Sequence, residues 1–86
     1  MKFILSRHAI EEMRRRQIPR QWLESVLNNP EQRIPQPGGK EIFQSRLKSA
    51  RGKMYVLRAV LAVDKDPAVV VTVYRTTKIA KYWRPQ

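Results

Sequence analysis

The sequence predicts an α+β fold with a short N-terminal strand, two helices and then a three-stranded antiparallel meander. Two patterns carry this prediction. Apolar residues recur at helical spacing in the first third of the chain, whereas apolar and polar residues alternate at strand spacing in the second half. Between them, the segment from Pro30 to Lys40 contains three prolines and two glycines, which is typical of a loop. The 86 residues suit a single domain, 1–86, with one modest core.

Capping residues and apolar stripes define the elements of the first third. The apolar run Lys2–Leu5 predicts a short strand, and Ser6 directly after it is a suitable N-cap for the first helix. A second helix is expected to open at Pro19, because proline suits the first helical turn, and to end at Asn28–Pro30. Its apolar stripe, in which we expect the tryptophan to anchor the core, consists of Trp22, Leu23, Val26 and Leu27.

Three strand patterns follow, over Glu41–Lys48, Lys53–Val63 and Ala68–Thr76, and short turn segments separate them. Because successive strand residues point to opposite faces, each strand can be sorted into two sets. The helices are expected to cover the more apolar face, made of Phe43, Leu47, Tyr55, Leu57, Ala59, Leu61, Val63, Val69, Val71 and Val73. The opposite face is mixed and carries Gln44, Arg46, Lys48, Met54, Val56, Arg58, Val60, Val70, Thr72 and Tyr74.

The charge balance points to a polyanionic partner. The chain has 18 lysines and arginines against 7 aspartates and glutamates, a net charge of +11, and the cations run from Lys2 to Arg84 instead of forming one tail. A folded domain with this charge repels itself, so nucleic acid is the leading candidate partner. A solvated basic surface and a surface matched to an acidic protein are the alternatives.

Residue types also limit cofactors and location. The chain has no cysteine and one histidine, so disulfides and thiolate metal sites are excluded, and we expect neither a metal nor a cofactor. No apolar run approaches the ~20 residues of a membrane span, and the apolar stretch at the start is too short for a signal peptide. These features predict a cytoplasmic protein that does not bind membranes.

The first helix carries the single histidine. His8, Glu12 and Arg16 follow one another at i, i+4 spacing and therefore lie along one side of this helix. On one interpretation Glu12 pairs with a neighbouring arginine at the surface and His8 is solvated. On the other, His8 transfers protons next to arginines that hold phosphate, since free imidazole titrates near neutral pH. Spacing alone does not choose between them.

A second candidate cluster lies on the mixed face of the sheet. If both apolar sets share one face, paired residue numbers in the last two strands have an even sum, and a tight turn at Asp66 then places Arg58 opposite Tyr74. Arg46 would lie diagonally from Arg58, with Thr72 close by. An arginine in the middle of the central strand needs an anion or water, so this cluster is a candidate phosphate site. Ordinary polar positions on a solvent-facing sheet are the alternative.

The C-terminal segment interleaves cations with aromatic residues. Arg75, Lys78 and Lys81 can bind phosphates, while Tyr82 and Trp83 can stack on unpaired bases. This combination suits single-stranded RNA. The alternative is that both aromatic residues dock on the sheet or on the helices as a lid. The sequence favours neither.

Three stretches of the chain resemble one small bacterial family. They are Ser6-x-His8-Ala9 with Met13, Arg16 and Ile18; Val26-Leu27-Asn28-Asn29-Pro30; and, after a long strand, Val69 to Thr76. In this order and spacing they are similar to the family called domain of unknown function 4258, over nearly the whole chain. Pro19, where a serine or threonine cap is expected, is a departure that concerns only the start of the second helix.

The resemblance implies a fold and an activity. That family resembles the RelE and BrnT toxins, whose wider fold group includes metal-independent ribonucleases in which two helices lead into a curved antiparallel sheet. It therefore implies an RNA-binding or RNA-cleaving domain of the toxin–antitoxin type, with an acidic antitoxin as a further partner. The matched functional candidates are His8, Arg16, Thr72 and Tyr74. Arg46 and Arg58 come from the face assignment alone.

The predicted function is RNA binding with metal-independent RNA cleavage. In this hypothesis His8 transfers a proton and Arg16 orients the phosphate. Arg46 and Arg58 hold the reacting phosphate, and Tyr74 supplies a second proton or a hydrogen bond. The other candidate substrate-binding residues are Thr72, Arg75, Lys78, Lys81, Tyr82 and Trp83. Two other functions stay open: a nucleic-acid-binding module without activity, and an interaction domain for an acidic protein.

Overall fold

A computed structural model describes residues 2–85 and has a mixed α+β architecture, as predicted. In chain order the elements are β1 (Phe3–Leu5), α1 (Arg7–Arg15), α2 (Arg20–Asn28), β2 (Gln32–Gln36), β3 (Lys40–Lys48), β4 (Met54–Ala62), β5 (Ala68–Thr76) and α3 (Ile79–Tyr82). The strands form one five-stranded sheet in the order β1-β5-β4-β3-β2. The meander β3-β4-β5 therefore lies at the centre of the sheet, with an additional strand on each side.

The strand β2 and its hairpin correct the prediction of a loop from Pro30 to Lys40. Pairs run from Gln32 with Gln44 to Gln36 with Lys40, and they make β2 an antiparallel edge strand. Proline cannot donate to a sheet and is tolerated at an edge, which is where Pro35 lies. Gly38 and Gly39, with φ of 78° and 72°, form the tight turn into β3. The short polar strand carries almost no apolar alternation, so its sequence did not reveal it.

The first strand closes the other side of the sheet. β1 pairs in parallel with the last strand, in the register Phe3 with Ala68 and Leu5 with Val70. The chain then passes directly into α1, where Ser6 acts as the N-cap: its hydroxyl accepts from the Ala9 N–H at 3.0 Å. The same hydroxyl donates to the Val71 carbonyl at 3.0 Å. One serine therefore caps the helix and ties it to β5.

The second helix begins one residue later than the proline signal suggested. Pro19 is the N-cap residue itself, in extended conformation and without a side-chain capping bond, and the helix starts at Arg20. Its apolar stripe faces the sheet as predicted. Leu23, Val26 and Leu27 are buried, and Trp22 packs against the core from its margin.

The core lies between the two helices and one face of the sheet. α1 packs on β5, and α2 packs on β4 and β3. The helices and the α1–α2 connection contribute Ala9, Met13, Ile18, Leu23, Val26 and Leu27. The sheet contributes Phe43, Leu57, Ala59, Leu61, Ala68, Val70 and Val73. The predicted core faces of β3 and β4 are thus confirmed.

The core face of β5 is correct only in its second half. From Thr76 to Thr72 each residue pairs with β4 in the even-sum register, but a bulge between Val60 and Leu61 then shifts the register by one residue. Val70 is consequently buried in the core, and Val69 and Val71, predicted to lie there, are only partly buried. A bulge places two residues opposite one, so the side-chain alternation reverses beyond it.

None of the helices in residues 2–85 is long and apolar enough to cross a membrane.

Candidate nucleic-acid interface

The face of the sheet away from the helices carries a row of four polar side chains, one from each of β2, β3, β4 and β5. The strand register fixes this row: Gln32 pairs with Gln44, Gln44 pairs with Arg58, and Arg58 pairs with Tyr74. We call these four residues the polar row. Because residues directly opposite one another on a sheet have neighbouring side chains, a continuous hydrogen-bonded chain is possible.

The polar row is such a chain. The Tyr74 hydroxyl accepts from Arg58 Nη1 at 2.6 Å, and Arg58 Nε donates to Gln44 Oε1 at 2.8 Å. The amide of Gln44 in turn donates to Gln32 Oε1 at 2.7 Å. Each member therefore fixes the orientation of the next, and the guanidinium is held from two sides.

Arg58 is buried without a carboxylate partner among residues 2–85. Its exposure is 5%, and both of its hydrogen-bond partners are neutral. The aromatic rings of Tyr82 and Tyr74 lie 4.3 Å and 5.6 Å from its central carbon, which gives partial cation–π compensation. Within the described chain Nη2 has no acceptor, and since no buried side-chain nitrogen there lacks a partner, this nitrogen reaches solvent. A mostly buried cation with one open nitrogen is suited to bind an anion.

A segment at the end of the chain lies over the polar row. We call residues 79–85, which comprise α3 and the three residues after it, the covering segment. The Tyr82 carbonyl accepts from Gln44 Nε2 at 3.1 Å. Gln32 donates to the Arg84 carbonyl at 2.8 Å and accepts from the Arg84 N–H at 3.2 Å. Tyr82 and Trp83 therefore dock on the sheet, which is one of the two arrangements that the sequence left open.

Arg46 lies beside the polar row and is paired. It faces Val56 on β4, which places it diagonally from Arg58 as predicted. Its guanidinium lies 4.3 Å from the Trp83 ring and 3.1 Å from Glu31 Oε2. Hydrogen bonds from the Arg46 side chain and backbone N–H hold the pKa of the Glu31 carboxyl below its ordinary value of 4.5.

Six of the predicted site residues share this open face of the sheet. Thr72 pairs with Val60 in the row next to the polar row. The group brought together by the fold is Arg46, Arg58, Thr72, Tyr74, Tyr82 and Trp83. Lys78 and Lys81 are exposed at the two ends of α3. These eight residues form a basic and aromatic surface.

Arg75 lies on the opposite face. It pairs with Leu57, so its side chain lies on the helix side of the sheet. There its guanidinium lies 5.0 Å from the Tyr55 ring and 5.6 Å from the Trp22 ring. Lys53 lies 5.9 Å from the same tyrosine ring. Arg75 therefore belongs to a separate cation–aromatic cluster and does not extend the polar row.

His8 and Arg16 lie in the helical layer, away from the polar row. His8 is exposed on α1, the helix that packs on the core face of the sheet. Glu12 accepts hydrogen bonds from Arg15 and Arg16, which is the surface pairing that the spacing allowed. The hydrogen bond from Arg15, and a second from Arg16, lower the pKa of Glu12. The histidine thus lies on the helix that packs against the core face, whereas Arg58 and Tyr74 lie on the opposite face of the sheet.

Sequence reasoning missed two members of the site. Gln44 had been sorted onto the open face by parity, but nothing local marked it as the fully buried centre of a network. Gln32 belongs to a strand that was not predicted. Their signal is the register of the sheet, which places both side chains level with Arg58.

The described residues contain no cluster of side chains suited to bind a metal ion. In residues 2–85 no three histidine, cysteine, aspartate or glutamate side chains gather as potential ligands.

Fold and site together define a class: a small basic α+β protein with a buried arginine on the open face of its sheet.

The chain belongs to the family described as domain of unknown function, DUF4258, whose model matches residues 5–75. The match begins at Leu5, the last residue of β1, runs through nearly all of β5 and ends before the covering segment. No curated protein and no solved structure matches the chain significantly.

Proposed function

We propose that this protein binds RNA through the open face of its sheet and that Arg58 contacts a phosphate there. One observation carries the proposal: a buried guanidinium is oriented by Gln44 and Tyr74 and lacks a carboxylate partner in the described chain. Maintaining such a group is costly unless an anion uses it. Arginine is also the side chain best suited to phosphate, because its planar fork matches two phosphate oxygens.

The distribution of charge supports a polyanion over a single small anion. The net charge is +11; Arg46 lies beside the polar row, and Lys78 and Lys81 are exposed at the N-cap and in the last turn of α3. Glu31 pairs with Arg46 beside this row, whereas Arg58, Lys78 and Lys81 make no ion pair within the described residues. Cations without a carboxylate partner are available to phosphates, so the affinity for RNA should fall steeply with salt.

RNA cleavage without metal is a second candidate function, and the geometry of Tyr74 favours it. The phenol oxygen accepts from Arg58, so its own hydrogen is free to donate to a phosphate or a leaving oxygen. As the 2′-hydroxyl attacks the phosphorus and loses its proton to water, the arginine would stabilise the charge that develops on the phosphate; the bond to the 5′-oxygen then breaks and that oxygen takes the Tyr74 proton. His8 as the proton-transfer group stays a prediction, and its place in the helical layer makes Tyr74 the better candidate.

The resemblance to the RelE and BrnT toxins agrees with this function. We extend the proposal to a bacterial, cytoplasmic protein of the toxin–antitoxin type, whose basic surface would also receive an acidic antitoxin. A domain that only binds an acidic protein is the alternative, and it predicts little affinity for RNA.

RNA binding is tested by fluorescence anisotropy with a labelled 15-nucleotide single-stranded RNA at several salt concentrations. We expect Arg58→Met to lower the affinity about tenfold or more, since it removes a charge-assisted contact. Arg14→Met, which removes an exposed arginine from α1, is the control for the loss of one charge and should change affinity much less. Equal losses in both variants would show that only net charge matters.

Cleavage is tested by incubating folded and single-stranded RNA with the protein in EDTA and detecting 2′,3′-cyclic phosphate ends. If cleavage occurs, Tyr74→Phe should abolish most of it and His8→Ala should leave it. Loss in His8→Ala alone would move the chemistry to the helical layer. Salt-sensitive binding without cleavage would leave a binding protein.

A further inference from the structure

We propose that the covering segment is a lid that closes the Arg58 site and must lift before RNA reaches the guanidinium. This inference rests on the proposed function, because it concerns the regulation of the same site. It follows from a conflict in the geometry: the cation best placed for phosphate is also almost completely covered.

The cover over Arg58 comes from this segment. The Tyr82 ring lies 4.3 Å from the guanidinium carbon, and its backbone carbonyl accepts from Gln44. Beneath it Gln44 is fully buried and Arg58 is 5% exposed. Because the ring lies against the guanidinium and Arg58 is only 5% exposed, a phosphate has little room to approach it while the segment is in place.

Two further contacts hold the segment in place. Gln32 makes a reciprocal pair of hydrogen bonds with the backbone of Arg84, at 2.8 Å and 3.2 Å. The Trp83 ring lies over Arg46 at 4.3 Å. The sheet groups that hold the lid are thus the amides of Gln32 and Gln44 and two guanidinium groups, all of which can also bind RNA.

The attachment is suited to opening. α3 has four residues, none of them buried, and its backbone hydrogen bonds are local, from Lys81 to Lys78 and from Trp83 to Ile79. Segments with few buried apolar contacts and exposed hydrogen bonds open at low free-energy cost. Because RNA can form the same polar contacts with the sheet, it can replace the covering segment at this site.

The matched variants Gln32→Ala and Gln36→Ala test whether the hydrogen bonds between Gln32 and Arg84 hold the lid closed. Both glutamines lie on β2 and on the same face, but within the described residues the side chain of Gln36 bonds only to the neighbouring Pro35 carbonyl. We expect Gln32→Ala to raise the affinity for the 15-nucleotide RNA about tenfold, since apparent affinity rises with the fraction of open protein. Gln36→Ala should leave the affinity unchanged. Unchanged or weaker binding by Gln32→Ala would overturn the proposal.

Tyr82→Ala provides a second variant in case Gln32→Ala disturbs Gln44. A lid predicts stronger RNA binding when the ring is removed, whereas a base-stacking platform predicts weaker binding. The amide of Arg84 gives a direct readout: its hydrogen exchange should accelerate when RNA is added, while the Ser6 amide, bonded to Val70 within the sheet, should not change. Protection at Arg84 that survives saturation with RNA would refute the lid.

The outcomes separate the two proposals. If wild type, Gln32→Ala and Tyr82→Ala all fail to bind RNA, the proposed function is wrong. If wild type binds RNA, loses affinity in Arg58→Met and keeps the Arg84 amide protected, RNA binding stands and the lid is wrong.

Discussion

The two faces of this sheet are built on different principles. The helix side is apolar and closed, with Leu57, Ala59 and Leu61 of the central strand fully buried. The open side of the same strand carries Arg58, which is buried under the four-residue helix α3 and the residues after it instead of under a long apolar helix. Alternation along a single strand separates the two environments by one residue.

The difference shows how stability and function are divided. Apolar burial on the helix side supplies the free energy of folding, about 1.5–3 kcal/mol for each large side chain. The polar row fixes the orientation of hydrogen-bonding groups, and its three hydrogen bonds contribute less in total than the many buried apolar side chains of the core. A change on the helix side should therefore affect folding, and a change on the open side should affect binding.

The largest effect on stability is expected for Leu57→Ala. The side chain is fully buried, so its removal leaves a cavity and should lower the free energy of unfolding by about 2–5 kcal/mol. Val60→Ala, at a half-buried position on the open side of the same strand, should cost far less. Urea titration of both variants compares the two faces directly. Equal losses would mean that the open face supports the fold as strongly as the core does.

An intermediate effect is expected for Ser6→Ala. This change removes the cap of α1 and the hydroxyl bond to the Val71 carbonyl, and should destabilise the protein by about 1 kcal/mol. Affinity for RNA in the folded protein should not change, because α1 lies on the helix side. Ser25→Ala, on the exposed side of α2, is the control and should be neutral, since alanine favours helix. A drop in RNA affinity would contradict the division between the faces.

The smallest effect concerns acid sensitivity on the helix side. Two hydrogen bonds from the Arg33 guanidinium, at 2.7 Å and 2.8 Å, lower the pKa of Glu41 below 4.5 in the folded protein. The pair therefore stabilises the folded protein fully at a pH above the ordinary pKa of a glutamate. This stabilisation is lost as the pH falls through the lowered pKa of Glu41 in the folded protein. At a partly exposed site the contribution is about 0.5 kcal/mol.

Glu41→Gln tests this contribution, and it should remove that part of the stability at pH 7 but not at pH 2. Glu24→Gln, at an exposed position on α2, serves as the control. Chemical unfolding at the two pH values measures the difference. A larger loss at pH 2 than at pH 7 would reverse the expected sign.

Much of the site geometry could be predicted from the alternation of side chains along the strands and from the position of the turns between them. The pairing of Arg58 with Tyr74 and the diagonal position of Arg46 both follow from alternation and turn placement, and the register confirms them. The same reasoning failed beyond the bulge, where Val70 takes the place predicted for Val69 and Val71. A bulge is chosen by packing around it, and an unbroken run of valines gives no local sign of where alternation reverses.

The sequence by itself determined the local elements: the cap at Ser6, the apolar face of α2, the three central strands and the side of the sheet on which Arg58 lies. These depend on residues close in the chain, whose spacing reflects helical or strand period. Only the tertiary structure decided that β1 pairs with β5, that Gln32 joins the polar row and that Tyr82 covers Arg58. Those contacts join residues far apart in the chain, and their free energy depends on which surfaces the rest of the fold leaves uncovered.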